Sequence, residues 1–153
     1  MKRHLKKIGL ALLVFFIGIQ FIPKHYNQSE TVLKTDFMRT FNVPKKIENL
    51  LKTSCYDCHS NNTHYPWYNK IQPVAWFMEG HIEEGKEELN FSEFGDYSKR
   101  RQKGKLKSIR SQIKDGEMPL WNYTLIHQDA KLSENEKEIL EDWIDDLRDQ
   151  LKK

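Results

Sequence analysis

Residues 54–60 read Ser-Cys-Tyr-Asp-Cys-His-Ser (SCYDCHS), and the two thiols and the imidazole in that stretch decide how the rest of the chain is read. Cys55 and Cys58 are the only cysteines among 153 residues. A disulfide framework would scatter four or more, so two thiols three positions apart point to a local chemical site. Two intervening residues at the end of a helix let both sulfurs reach the vinyl groups on neighbouring pyrroles of a haem, one thioether each. His59, next in line, then falls beneath the iron as proximal ligand. Cys-x-x-Cys-His is the spacing of c-type attachment, and one covalently attached haem c is the expected cofactor.

Two other chemistries use a Cys-x-x-Cys pair. A thiol redox pair has its first cysteine activated by a helix N-terminus, whereas this pair follows a helix and has Asp57 between its thiols. A structural zinc site needs further ligands at close spacing. Beyond His59 the chain offers His64, His81 and His127, with no second cysteine pair and no close histidine pair.

Outward from the motif the pattern is helical. Pro44 suits a first helical turn, and Ile47, Leu50 and Leu51 follow at helical spacing into Cys55. Residues 60–72 (SNNTHYPWYNKIQ) read as an ordered aromatic loop. Pro73 opens a second helix whose Val74, Phe77, Met78, His81, Ile82, Gly85 and Leu89 fall on one face, expected to point to the interior. A third helix is expected from about Ser98 to Asp115, with Leu106, Ile109 and Ile113 inward and Gly116 ending it. Ser133 and Glu136 form a capping box for the last helix, with Ile139, Leu140, Trp143, Ile144, Leu147 and Leu151 as its buried stripe. No segment alternates as a strand does, so the expected fold class is all-α.

The sixth iron ligand must come from elsewhere in the chain. Gly116-Glu117-Met118-Pro119 lies between the third and last helices. A methionine thioether suits haem iron and raises its reduction potential, and Pro119 stiffens the loop. Methionine is more commonly core filler, the role expected of Met78, whereas Met38 falls in a polar tether. Met118 is favoured as ligand over His81, which sits mid-helix among apolar neighbours. There it can ligate iron, bond a haem propionate or be a satisfied core histidine. Tyr65, Trp67, Tyr68 and Trp76 after the motif, with Trp121 and Tyr123 after Met-Pro, are candidate walls for a flat ligand, although a plain core uses such residues too. Tyr68, Trp76 and Trp121 are the stronger candidates.

A helix entering Cys-x-x-Cys-His, a later Met-Pro and a final amphipathic helix resemble a class I cytochrome c. More narrowly, SCYDCHSNNT, YPWY, PVAW, HIEEG, LNFS, EMPLW and KLSENE are similar to motifs of the bacterial haem-binding domain family of cytochrome-c-like proteins, over about residues 40–150. Lys86 and Phe94 stand where that family leads one to expect Arg and Trp. The resemblance implies haem binding outside the cytoplasmic membrane and leaves the redox partner open.

At the N-terminus, Lys2, Arg3, Lys6 and Lys7 precede an apolar run from Ile8 to Ile19, continued by Phe21 and Ile22. A basic flank before an apolar stretch reads as an export signal. No small-x-small cleavage site follows it, so an uncleaved anchor is expected. The expected layout is a transmembrane segment over residues 1–23, a tether over 24–42 and a haem domain over 43–153. The haem domain would then lie on the outer side of the cytoplasmic membrane. The net charge of +3 is too small to imply nucleic acid. It hides a basic run from Lys99 to Arg110, more commonly a solvated face than a docking site for an acidic redox partner, and an acidic last helix. With both axial positions filled, the expected function is single-electron transfer by a monohaem cytochrome, not catalysis. The alternative is a sensor or peroxidase-like enzyme in which the sixth ligand dissociates.

Overall fold

The computed structural model describes residues 2–29 and 31–151. Met1, Lys152 and Lys153, at the ends of the expected anchor and haem domain, lie outside the described residues, as does Glu30 of the expected tether. The helices are α1 (Lys2–Ile19), α2 (Phe37–Thr40), α3 (Lys45–Ser54), α4 (Tyr56–His59), α5 (Val74–Glu88), α6 (Lys99–Lys114), α7 (Trp121–Ile126) and α8 (Glu134–Gln150). Short 3-10 turns at Trp67–Lys70, Phe91–Asp96 and Gln128–Ala130 join them. Among the described residues there is no strand, only an isolated antiparallel bridge between Gln28 and Asn62.

Local chemistry accounts for the helix ends. Ser133 accepts from the Glu136 amide while the Glu136 carboxylate accepts from the Ser133 amide, so the capping box of α8 is closed both ways. Gly116 adopts φ +73°, the left-handed conformation that glycine reaches without a Cβ penalty. The turn it makes sends the Glu117 and Met118 amides back to the Gln112 carbonyl at 2.9 and 3.1 Å. The backbone of Met118 is thereby tied to the end of α6.

The core lies between α3, α6, α8 and the Phe91–Asp96 turn. Ile47, Leu51, Phe91, Phe94, Leu106, Ile113, Leu140, Ile144 and Leu147 are all buried in it. Helix α6 packs along α8, reinforced by Arg110 pairing with Glu141 and Asp145. Phe37, within the segment read as a tether, is also buried here, edge-on to Phe91 and Phe94 at 5.3 and 4.9 Å. Asp36 caps its helix, α2, by accepting from the Met38 amide.

The N-terminal transmembrane helix is not there: no helix among the described residues is long and apolar enough to cross a membrane. The 18 residues of α1 include Lys2, Arg3, Lys6 and Lys7. The apolar part from Ile8 to Ile19 extends about 18 Å as a helix, against roughly 30 Å for a hydrocarbon core. The helix also stops where Gln20 turns onto the domain, exchanging hydrogen bonds with the Gln72 backbone at 2.9 and 3.2 Å. The single-pass, outward-facing placement that rested on that anchor loses its support.

A second correction concerns α5. Its apolar stripe does not face the core throughout: Val74 and Phe77 are exposed, and His81 is half-buried rather than interior. With Met78 and Ile82 they line an open cleft instead.

Candidate haem site

The site is built where α3 gives way to α4. Cys55 caps the C-terminus of α3, its amide donating to the Leu51 carbonyl at 2.9 Å. One further turn, α4, then carries Tyr56, Asp57, Cys58 and His59. Tyr56 stacks on Phe91 with centroids 4.9 Å apart and hydrogen-bonds Asp36, pinning this turn to the core. Helix α5 crosses behind α4 at very close range. A Cβ on Gly85 would stand 2.8 Å from the Cys58 carbonyl oxygen, so only glycine fits there.

That approach fixes His59. Its Nδ1 is 2.7 Å from the Gly85 carbonyl and 3.1 Å from the Leu89 carbonyl. Both partners only accept, so Nδ1 carries the proton and Nε2 keeps its lone pair. A metal-binding histidine is oriented in this way, its second nitrogen held by a carbonyl. Burial holds the His59 pKa below its ordinary value; the bonds to Leu89 and Gly85 oppose this, and the charge of Lys105 adds to it.

Cys55 and Cys58 are free thiols. Burial, with Cys58 nearby, pushes the Cys55 thiol up to about 12, and burial, with Asp57 nearby, pushes Cys58 up to about 11. Such thiols are neutral and poor nucleophiles for disulfide exchange, which argues against a redox pair. Among the described residues no group of three or more His, Cys, Asp or Glu is arranged to hold a metal ion.

Cys55, Cys58, His59, Met118 and His81 line one cleft of about 810 Å³, part of it open to solvent. Pro119, Leu120 and Tyr123 close it from the α7 side. Two further clefts adjoin it. One shares Asp57, Cys58, His81, Leu120 and Tyr123 with it and runs along the apolar stripe of α5 to Tyr68 and His127. The other shares Ser54, Cys55, His59, Glu88 and Met118 and runs along α6. Two thiols, an imidazole with a free Nε2, a thioether and apolar walls are the donor set and lining that a haem needs. The residues present fit the group.

The expected site residues therefore divide. Cys55, Cys58, His59 and Met118 are brought together, and Tyr68 lies at the far end of the apolar cleft, its hydroxyl 2.5 Å from His127 Nε2. His81 lines the central cleft as well, its Nδ1 bonded to the Phe77 carbonyl at 2.9 Å. Trp76 and Trp121 line none of these clefts and stand 42% and 74% exposed.

Asp57 and Asn27 are structural parts of the site that sequence reading missed. The Asp57 carboxylate accepts from Tyr123 at 2.8 Å and from the His64 amide at 3.0 Å. The side chain of Asn27 donates to the Ser60 carbonyl and Thr63 hydroxyl and accepts from Lys86, bracing the chain just after His59. Asp57 lies inside the motif and was within reach of a sequence argument. Asn27 sits in a polar stretch with nothing to distinguish it.

No curated protein and no solved structure matches the chain. The model of a haem-binding domain matches residues 14–146, which includes every residue of the three clefts. The chain belongs to the haem-binding domain family.

Proposed function

We propose that the bound haem is of the c type, held by thioethers from Cys55 and Cys58 with His59 and Met118 on its two faces, and that the protein carries single electrons. The supporting observation is the convergence of these four side chains on one cleft, with His59 Nδ1 already tied to two carbonyls. Cys55 and Cys58 would each hold the haem by addition of the thiol across one vinyl, sulfur to one carbon and hydrogen to the other, with nothing leaving. Bound haem supplies a ferric–ferrous couple. The chain supplies the rest. His59 holds its position through Gly85 and Leu89, so its ring has little freedom to reorganise between oxidation states. Met118, on a backbone anchored to Gln112, offers a soft thioether that favours the reduced form. The apolar stripe of α5 would give a bound haem an apolar wall on one side. Were His59 and Met118 both to hold the iron, no position would be left for a substrate, which favours electron carriage over gas or peroxide chemistry. A spectroelectrochemical titration of the haem-loaded protein tests this. Low-spin spectra in both oxidation states, a one-electron wave and no carbon monoxide adduct are expected; a high-spin, carbon-monoxide-binding ferrous form would overturn it.

A further inference from the structure

A haem brings two propionates as well as an iron, and taking carboxylates out of water without a partner is costly. The residues lining the three adjoining clefts include a single lysine or arginine, Lys105. It lies on α6 with Ser108 and Gln112 three and seven positions further on, and all three line the cleft that has His59 and Cys55 at its other side. The charged groups on that cleft are Lys105 of α6 and Glu88 of α5; the uncharged titratable groups Cys55 and His59 also line it. Lys105 is 23% exposed and its pairing with Glu88 is loose: the atoms are 3.6 Å apart and the Glu88 side chain is 86% exposed. A pair that open to water contributes little, so Lys105 is available to a better-placed carboxylate.

We propose that Lys105 anchors a haem propionate, with the Gln112 side-chain amide offering a hydrogen bond beside it; the Ser108 hydroxyl is committed to the Gly104 carbonyl at 3.2 Å. The vinyl edge of a haem and its propionate edge lie on opposite sides of the ring. With Cys55 and Cys58 taking the vinyls, the propionates would point away from the thiols, and the lysine or arginine that lines the clefts and could receive one is Lys105. The assignment rests on the thioether reading for this orientation. A charge-assisted bond of this kind is stronger than the exposed pair it replaces.

The test uses full-length haem-loaded protein and follows the reduction potential against pH, together with the propionate bending band in the resonance Raman spectrum. Lys105→Gln should lower the potential and move its pH inflection up by about 1–3 pH units, because a carboxyl that loses an adjacent cation holds its proton more tightly. Lys105→Arg should restore the wild-type inflection. Lys107→Gln, on the exposed side of the same helix, should leave inflection and band unchanged. Glu88→Gln frees Lys105 from its competitor and should move the inflection down, an arm that needs no change at Lys105. Lys105→Gln with normal haem stain, inflection and Raman band would overturn the propionate assignment alone. Wild-type protein without covalent haem would overturn the thioether reading and this assignment together.

Discussion

The Tyr123 hydroxyl donates to Asp57 Oδ2 at 2.8 Å, joining α7 to the turn that carries both thiols and His59 across 66 positions of sequence. Met118, Pro119 and Leu120 lie just before α7, so this bond holds the Met118 loop against the Cys55–His59 turn. Tyr123→Phe keeps the ring, which stacks on His127 at 4.3 Å, and removes only the bond. The expected cost is about 1.5–3 kcal/mol, as for hydrogen bonds to charged groups, read by denaturant unfolding. Haem attachment should persist, while the iron–methionine charge-transfer band weakens. An unchanged band and unchanged stability would show that the clamp is idle.

Burial of two phenols sets a pH dependence. Burial raises the Tyr123 pKa, with the Asp57 charge adding to it, and burial raises that of Tyr56, with Asp36 adding to it. A group whose folded pKa lies above its unfolded value stabilises fully below the unfolded value, near 10 for tyrosine, and less above it. Between that pH and the higher folded values the unfolded chain sheds phenolic protons that the folded chain keeps. Stability should therefore fall as pH rises past about 10, and Tyr123→Phe and Tyr56→Phe should each flatten part of that fall. Urea midpoints at a series of alkaline pH values check this.

Gly85 is where packing leaves no slack. Its added Cβ would meet a backbone oxygen, which has no rotamer to escape into. Gly85→Ala gains helix propensity of up to about 1 kcal/mol but should lose about 1–3 kcal/mol to overpacking, a net destabilisation. Because the Gly85 carbonyl holds His59, displacement of α5 should also broaden the haem absorption bands. A more stable Gly85→Ala with a wild-type spectrum would mean that the helices part freely.

Local structure was legible in the sequence and long-range placement was not. The Ser133–Glu136 capping box carries its whole argument within a few residues, the Cys55–His59 stretch signals a local site in the same way, and the positions of the longer helices follow from apolar spacing. Periodicity identifies the apolar face of α5 but does not say what covers it, so a stripe expected in the core lines the clefts. Phe37 reaches the core and Asn27 braces the turn after His59 from a stretch too polar and irregular to signal either. The apolar run in α1 misled for a related reason. The apolar stretch from Ile8 to Ile22 is not one helix, because α1 stops at Ile19.

Met118 and His81 are to be separated by ligation. Both line the central cleft, but Met118 also shares the α6 cleft with His59, and His81 does not. Met118→Ala should open the sixth position, lower the reduction potential and admit carbon monoxide. His81→Ala should cost about 0.5–1.5 kcal/mol for its hydrogen bond to Phe77 and leave the methionine charge-transfer band in place. High-spin iron in His81→Ala, with no such band in wild type, would instead make the pair bis-histidine.

Covalent attachment at Cys55 and Cys58 underlies every other assignment, and a denaturing gel stained for haem tests it most directly. The protein is produced alongside haem-attachment machinery, and intact mass is read on the same samples. The wild-type chain should keep its stain and carry the mass of one haem, Cys55→Ala and Cys58→Ala should each stain weakly, and the double variant should not stain at all. A wild-type chain that loses its haem on denaturation, or a double variant that keeps it, would contradict the account.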